Sequence, residues 1–411
     1  MPMNTPADLT RPDHSPMTVK TTVRVGADRL LTDASGLIAG KRVCLLTNHT
    51  GLLSDGEPLA DAILRSGIAR LIALFGPEHG ISGDIPDGNA VEHARHAGHD
   101  IPVYSLYGKT HKPTASMFGN ADVLVCDIQD VGARFYTYVS TIALAIEAAA
   151  EHGIPVIVLD RPNIIRGVGC DGPVRVPQLK SFVGLLPIPV MYGMTIGELM
   201  LMFNREGWAS GGVRANLEVV PLDGWKRSMW YDRTTLPWVP PSPNLPRLST
   251  AVVYPGMCFL EGTTISEGRG TGCPFECVGA PWADPERVLS HLADIAVAGA
   301  EFSAEEFTPR TIPGAASSPK FEGEVCRGIR IHVRNRDILR PVRLGIAVLA
   351  AFKRAHPAEV EMRNRRFDIL TGNSAVRKML DDNADPAGIA DSWADGLSEF
   401  VRLRERYLIY G

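Results

Sequence analysis

The chain has 411 residues, more than one ordinary compact core needs, so two domains are expected. Apolar residues make up 45% of it and charged residues 21%, a composition that excludes fibrous and largely disordered proteins. The formal net charge of −4, with no block of Lys or Arg, argues against a nucleic-acid partner and against binding to an anionic membrane surface.

The first 22 residues mix proline with charged and polar side chains and contain no apolar segment. They are predicted to form a disordered tail and not a secretory signal, so a cytoplasmic location is expected. Further along, apolar runs such as 142–150 stop well short of the roughly 20 residues that a membrane span requires, and no membrane association is predicted.

The seven Cys residues are odd in number and scattered along the chain, as free buried thiols are. Cys273 and Cys277 form a C-x3-C pair, but no second Cys pair and no His stands close to them in the sequence. A zinc site is therefore not expected at this pair.

Short apolar runs alternate with helical patterns in the first half of the chain, which is typical of an α/β fold with a parallel sheet. The predicted strands are 42–47, 70–75, 123–127 and 155–160. Helical spacing is present at 59–66 and 137–152, and Gly153 is expected to end the second of these helices.

The second half begins with a helix that Thr195 is expected to cap, because Glu198 follows three residues later and completes a capping box. Residues 236–246 contain five prolines, which predicts a rigid extended segment lining a site. The pattern then predicts a helix at 285–298, a strand at 328–333, a helix at 341–354 and a final helix at about 387–407.

Each predicted strand of the first half ends in a polar cluster. The clusters are 47–51, 76–80, 127–134 and 160–163. Because the carboxyl ends of parallel strands face the same way, these loops are expected to converge on one crevice. Single polar residues after strands often cap helices or form turns, but four such clusters together favour a binding site.

The glycines do not match a nucleotide-binding fingerprint. Neither G-x-G-x-x-G nor G-x4-G-K-[ST] follows the first strand, and the glycine-rich segment 268–272 lacks the strand-to-helix context of a phosphate loop. There is also no H-E-x-x-H and no G-x-S-x-G motif. The sequence therefore predicts a site without NAD, ATP or another cofactor.

Seven longer motifs stand out along the chain: LTNHTG at 46–51, FGPEHG at 75–80, DIQDVGARFYTY at 127–138, LDRPN at 159–163, GMTIGE at 193–198, WVPPSPN at 238–244 and SEGRGT at 266–271. Together they resemble one bacterial family, the exo-β-N-acetylmuramidases, which act on peptidoglycan sugars. The resemblance runs in order from about Leu31 to the terminal 407–410. Motifs of this length and number seldom arise by chance.

The resemblance implies removal of N-acetylmuramic acid from the non-reducing end of peptidoglycan fragments. It also implies a Rossmann-like parallel sheet flanked by helices, with a smaller C-terminal α+β auxiliary domain. We expect a tail at 1–22, a catalytic domain at 23–185 and an auxiliary domain at 186–411. Two segments depart from the family pattern, Asn163-Ile-Ile-Arg-Gly167 and Glu261-Gly-Thr-Thr264, and both bear on which sugar is accepted.

Glycoside hydrolysis needs a carboxylic acid at the leaving oxygen and usually a second carboxylate. Glu78, in a tight glycine-flanked loop, is expected to be the acid. The second carboxylate is expected among Asp127, Asp130 and Glu267, with Asp127 ranked first because it ends a strand. Pairing of Glu267 with Arg269 is an alternative for that residue, and catalysis assisted by the substrate's acetamido group is a further alternative.

The remaining candidates are expected to bind substrate. Arg134, Arg161 and Arg269 offer guanidinium groups for the lactyl carboxylate, although Arg161 could instead anchor Asp160 or Asp127. Asn48, His49 and His79 are expected to bond to sugar hydroxyls or to tune Glu78, and Tyr136, Tyr138 and Trp238 to stack on a sugar ring. Asp130 and Asn163 are also expected to contact the substrate.

Three other functions remain open on the residues alone. The crevice could bind cell-wall fragments without cutting them, or hydrolyse another amino-sugar derivative. A weaker alternative is a metal-dependent hydrolase in which Glu78, Asp127 and Asp130 hold Mg²⁺.

Overall fold

The computed structural model describes residues 20–85, 88, 94–96 and 98–411. Residues 1–19 of the predicted tail lie outside the described part of the chain. Residues 20–22 are described, and Thr21 there bridges to Thr234, so the end of the predicted tail contacts the folded chain.

A seven-stranded sheet occupies the N-terminal half. Its strands in chain order are β1 Arg42–Thr47, β2 Arg70–Gly76, β3 Ala94–Arg95, β4 Pro102–Ser105, β5 Val123–Asp127, β6 Val156–Leu159 and β7 Leu217–Val220. The spatial order is β3-β4-β2-β1-β5-β6-β7, and all neighbours run parallel except β3 and β4. Central strands are buried on both faces, as parallel sheets require.

The helices cover this sheet and build most of the C-terminal half. In chain order they are α1 Gly26–Leu30, α2 Leu59–Ser66, α3 Ala115–Phe118, α4 Thr137–Glu151, α5 Ile196–Arg205, α6 Leu248–Met257, α7 Pro285–Ile295, α8 Pro341–Ala355, α9 Asn364–Thr371, α10 Ser374–Asp381, α11 Pro386–Asp391 and α12 Ala394–Arg404. The predicted capping box of α5 is present, since Thr195 and Glu198 exchange their hydrogen bonds.

The C-terminal half adds a three-stranded antiparallel sheet of β8 Cys277–Ala280, β9 Ala300–Phe307 and β10 Cys326–Val333, in the order β8-β10-β9. Helices α6 and α8 cross closely because Gly256 and Gly345 meet there. A Cβ on Gly256 would stand 1.8 Å from the carbonyl oxygen of Pro341. The predicted fold class, a parallel sheet with flanking helices followed by a smaller α+β part, is confirmed.

The strands that the sequence pattern did not predict are mainly edge strands. β3, β4 and β7 are short and partly exposed, so they lack the continuous apolar run that marked the central strands. β7 joins the large sheet although it follows residue 185, where the domain division is predicted. That division remains a prediction.

The prediction of one continuous final helix at 387–407 is wrong. The chain forms α11 and α12, separated at Trp393, which has φ −106° and is buried. Helix α6 was not predicted because Pro255 lies inside it. None of the described helices is long and apolar enough to cross a bilayer.

Two of the seven cysteines do not fit the expectation of free thiols. Cys273 and Cys277 form a disulfide that closes the short loop before β8. Cys44, Cys126 and Cys258 are buried free thiols, as the apolar strand contexts indicated.

Candidate active site

A cavity of about 250 Å³ lies between the loop after β2, the start of α4 and the C-terminal half. Five aromatic side chains line it, Tyr107, Phe135, Tyr136, Tyr254 and Phe275. The polar side chains of the lining are Glu78, His79, Thr137, Ser242, Glu261, Arg269 and Arg366. Aromatic walls with a few convergent polar groups are typical of sites for small polar ligands.

Glu78 lies at the base of the loop after β2 and is 8% exposed. One carboxylate oxygen accepts a hydrogen bond from the Gly88 amide at 2.9 Å, and the other accepts one from the Thr137 hydroxyl at 2.7 Å. Thr137 is the first residue of α4, so the carboxylate stands at that helix N-terminus. Each oxygen keeps a lone pair, and Glu78 forms no ion pair within the described residues.

The turn that carries Glu78 is tightly folded. His79 has φ 70°, a region that residues other than glycine seldom occupy. The His79 ring is held by a contact of 2.6 Å between Nδ1 and the Ile85 carbonyl oxygen, and the Gly80 amide donates to Pro77. Strained turns of this kind cluster at functional sites.

The opposite wall carries two arginines bound to one glutamate. Arg269 and Arg366 each donate to a different oxygen of Glu261, both at 2.7 Å. Burial alone would raise the pKa of Glu261, but the two guanidinium groups outweigh burial and hold that pKa at about 2. The Glu261 carboxylate is therefore ionised at neutral pH.

The loop that presents Arg269 is held by packing and by the disulfide. The Arg269 guanidinium lies 5.0 Å from the centre of the Phe275 ring, which in turn meets Tyr254 edge to face. Phe275 has φ 61° and sits inside the loop closed by Cys273 and Cys277. This covalent closure fixes a backbone conformation that an L-residue would otherwise avoid.

A second cavity of about 280 Å³ shares Glu261, Arg269 and Arg366 with the first. Glu267 and Lys320 line it, and their charged groups lie 3.0 Å apart. Glu267 is therefore next to the first cavity and separated from it by the arginine wall. The predicted pairing of Glu267 with Arg269 is present at 3.5 Å.

Four of the predicted site residues line the first cavity, namely Glu78, His79, Tyr136 and Arg269. The four loops do meet, as shown by hydrogen bonds from Asn48 to Tyr138, from Thr137 to Glu78 and from Arg161 to Asp127. Only the loops after β2 and β5 contribute to the cavity. Residues of the loops after β1 and β6 bond to other segments instead, Asn48 to Tyr138 and Asn163 to the Met194 carbonyl.

Asp127 lies away from the cavity and is fully buried. Its two oxygens accept from the Arg161 guanidinium at 2.6 and 2.8 Å, and Arg161 also donates to the Leu52 carbonyl. The bidentate pair joins the ends of β5 and β6 beneath the site. The alternative reading of Arg161, as an anchor for Asp127, matches this geometry.

Four other predicted binding residues bond within the protein. Asn48 donates to Tyr138, whose hydroxyl donates to the Pro241 carbonyl, and Asn163 donates to Met194. Arg134 is 1% exposed and donates to the carbonyls of Pro173, Ile188 and Leu370, which joins the two halves of the chain. None of these four residues lines the cavity.

His49 and Asp130 also lie outside the cavity lining. The His49 ring meets the Pro240 carbonyl at 2.8 Å, and burial lowers its pKa. Asp130 accepts hydrogen bonds from the Gly132 amide and the Tyr192 hydroxyl, and burial raises the pKa of its carboxyl to about 6. The proline-rich segment 236–246 therefore covers the loop after β1 and the start of α4, because Pro240 contacts His49 and the Pro241 carbonyl accepts from Tyr138.

Asp130 gives the protein a pH-dependent stability. Because its folded pKa lies above the unfolded value of 3.8, the native state binds its proton more tightly, so stability falls as pH rises from about 4 to 6. Two pKa units correspond to about 3 kcal/mol. We expect Asp130→Asn to remove this loss, as measured by urea unfolding of both proteins at several pH values. If the free energy of unfolding changed with pH in the same way in both proteins, Asp130 would not be the group responsible.

The sequence analysis did not select Glu261, Arg366, Thr137 or Tyr254. Glu261 belongs to a segment noted for its departure from the family pattern, which was a usable signal. Arg366 lies on α9, among several exposed charged residues that nothing in the sequence distinguishes from one another. Thr264, the departing residue, donates to the Glu359 carbonyl and does not line the cavity.

The metal-site alternative does not match the geometry. Across residues 20–85, 88, 94–96 and 98–411, no three His, Cys, Asp or Glu side chains are grouped to hold an ion. Glu78, Asp127 and Asp130 in particular do not form such a group.

Comparisons with known proteins agree on one family. The model of the N-terminal part of the exo-beta-N-acetylmuramidase NamZ matches residues 43–249, and the model of its C-terminal part matches 252–410. The chain is 42% identical over 401 residues to the peptidoglycan beta-N-acetylmuramidase NamZ of Bacillus subtilis strain 168, covering 97% of this chain and 94% of that protein.

Two solved structures from Bacteroides fragilis NCTC 9343, both described as DUF1343 family proteins, share the fold. The first has a TM-score of 0.86 at 34% identity and covers 95% of this chain and 99% of its own. The second has a TM-score of 0.77 at 31% identity and covers 94% of this chain and 99% of its own. The likeness spans both halves and the cavity between them, so this chain belongs to the exo-β-N-acetylmuramidase family of glycoside hydrolases.

Proposed function

We propose that this chain is an exo-acting β-N-acetylmuramidase that removes N-acetylmuramic acid from the non-reducing end of peptidoglycan fragments. The observation that supports it best is Glu78, a carboxyl group with no ion pair among the described residues that lines one cavity with Arg269, Arg366 and five aromatic side chains. A cavity of about 250 Å³ suits one sugar ring better than a chain, as removal of a terminal residue requires.

Glu78 is proposed to protonate the glycosidic oxygen as the bond to the sugar breaks. The Gly88 amide and Thr137 hydroxyl position its carboxyl group. Both oxygens of Glu261 are engaged by arginines, so Glu261 is suited to orienting the substrate. Asp127, Asp130 and Glu267 do not line the cavity, so we propose that the substrate's own acetamido oxygen attacks the anomeric carbon as the glycosidic bond breaks. Water then attacks the anomeric carbon of the resulting oxazolinium ion and gives its proton to Glu78, which releases the sugar and restores the acid.

The lactyl carboxylate of muramic acid is proposed to meet Arg366 and Arg269. Arg366 donates to Glu261 through one nitrogen of its guanidinium group, and planar guanidinium groups bind carboxylates in a bidentate manner. Both arginines line the cavity. Arg134 and Arg161 are not proposed to bind the lactyl carboxylate, because Arg134 donates to backbone carbonyls and Arg161 donates to Asp127.

We expect Arg366→Gln to raise KM for a chromogenic N-acetylmuramide by about tenfold to a hundredfold, because a charge-assisted hydrogen bond to the lactyl group is lost. Turnover of the corresponding N-acetylglucosaminide, which has no lactyl group, is expected to stay unchanged. The neighbouring exposed Arg365→Gln is the matched control. Equal KM changes for both sugars would remove Arg366 from carboxylate recognition.

Steady-state release of the aglycone from the same muramide tests the function itself. Binding of N-acetylmuramic acid without any release would favour the alternative of a non-catalytic sensor of cell-wall fragments. Faster release from another amino sugar would favour a hydrolase of altered specificity.

The cellular location and the absence of a nucleic-acid partner are also proposals. The tail composition favours the cytoplasm, whereas the Cys273–Cys277 disulfide favours an oxidising compartment, since disulfides seldom persist in the cytosol. Alkylation of thiols in intact cells before lysis distinguishes a cytoplasmic location from an oxidising compartment. A cytoplasmic protein is expected to be labelled at both cysteines, and protection of both would contradict that location.

A further inference from the structure

The leaving group of the proposed reaction must lie outside the active-site cavity. That cavity, of about 250 Å³, has room for the sugar that is released, so the next sugar of the glycan has to extend beyond it. The catalytic acid protonates the oxygen that joins these two sugars. Glu78 therefore stands at their junction, and the side chains beside the Glu78 loop are the ones that can contact the leaving group.

Tyr107 is the aromatic residue beside that loop. Strands β2 and β4 are parallel neighbours in which Gly76 stands opposite Ser105. Glu78 and Tyr107 each lie two residues further along, so the two chains leave the sheet side by side. The Ser105 hydroxyl donates to the Tyr107 carbonyl at 2.9 Å and accepts from the Tyr107 amide at 3.1 Å, which fixes this turn. Tyr107 thus lines the cavity on the side of the acid.

Two further rings continue from Tyr107. The rings of His111 and Phe182 are stacked, with centroids 4.0 Å apart and planes at 24°. The Tyr107 ring lies 5.6 Å from His111 and 6.0 Å from Phe182. Phe182 belongs to the tight turn 181–184, and the next residue, Val183, lines the cavity. Tyr107, His111 and Phe182 together form an aromatic platform at the edge of the cavity.

The aromatic platform differs from the aromatic pairs of the core. Phe75 and Phe118, which meet edge to face below β2, are 0% and 1% exposed. The three platform rings are each partly exposed. A flat apolar surface of this kind packs against the C–H face of a pyranose ring, which is the apolar face of a sugar. The position and the exposure of the platform therefore fit a sugar-binding surface.

We propose that the aromatic platform is the leaving-group subsite, where it stacks on the pyranose ring that follows the released sugar. This inference rests on the proposed function. Stacking holds the leaving sugar in place while Glu78 reaches the glycosidic oxygen, so its binding energy contributes to kcat/KM. A leaving group without a ring gains nothing from the platform.

Two substrates of the full chain separate this subsite from the rest of the active site. One is the disaccharide N-acetylmuramyl-N-acetylglucosamine, and the other is methyl β-N-acetylmuramide, whose leaving group has no ring. Phe182→Leu keeps an apolar side chain but removes the flat ring, and it is expected to lower kcat/KM for the disaccharide by about fivefold to tenfold. The same variant is expected to hydrolyse the methyl glycoside within about twofold of wild type, which also shows that it folds.

Two further variants serve as controls. Phe182→Tyr keeps the ring and is expected to retain kcat/KM for the disaccharide within about twofold. Phe302→Leu makes the same change at a partly exposed phenylalanine on β9, and both substrates are expected to stay within about twofold.

The outcomes distinguish the subsite from the proposed function. An unchanged ratio of the two kcat/KM values in Phe182→Leu, or an equal loss in Phe182→Tyr, would overturn the subsite while hydrolysis itself stands. A selective loss of the disaccharide in Phe302→Leu would overturn it as well. No release from either substrate by the wild-type chain would overturn the proposed function, and the subsite with it.

Discussion

Glu78→Gln is expected to lower kcat for a chromogenic N-acetylmuramide by about a thousandfold or more, because an amide cannot protonate the leaving oxygen. The amide keeps the size of the side chain, and its oxygen can accept from the Gly88 amide while its NH2 group donates to the Thr137 hydroxyl. Affinity for N-acetylmuramic acid is therefore expected to stay within about threefold of wild type. Steady-state kinetics with calorimetric binding measures both quantities.

Glu267→Gln is the matched control for this change. Glu267 is also a buried glutamate, but it lies beyond the arginine wall, so we expect its variant to retain kcat within about tenfold. A Glu78→Gln variant with wild-type turnover would remove Glu78 from the mechanism. A large loss of kcat in the Glu267 variant would instead return that residue to the catalytic role that the sequence pattern indicated.

Asp127→Ala is expected to destabilise the fold by roughly 3–5 kcal/mol, because it leaves the buried Arg161 guanidinium without its counter-ion. Chemical denaturation measures the loss. The folded fraction is expected to keep kcat within a few-fold of wild type, since Asp127 does not line the cavity. The double variant Asp127→Leu, Arg161→Met is expected to recover part of the stability, because no unpaired charge remains.

The two measurements separate a structural role from a catalytic one. A stable Asp127→Ala protein with about a thousandfold lower kcat would place Asp127 in the chemistry, as ranked from its position at a strand end. Additive losses in the double-variant cycle would show that Asp127 and Arg161 do not act as a pair.

The central part of the fold could be read from the sequence because local patterns are strong there. The strands β1, β2, β5 and β6 are interior, so their apolar runs are nearly continuous, and the α5 capping box is a contact within four residues. The edge strand β7 and the proline-containing helix α6 were missed because tertiary packing overrides their weak local preference.

The sequence by itself determined the family, the fold class and the loop that carries Glu78, because motifs and strand-end positions are local properties of the chain. Only the tertiary structure decided which polar groups face a cavity. Asp127 and Arg161 pair with each other away from the cavity, whereas Glu261 and Arg366, about a hundred residues apart, form an ion pair in its lining. The physical reason is that burial and charge pairing depend on neighbours distant in sequence, which residue patterns do not encode.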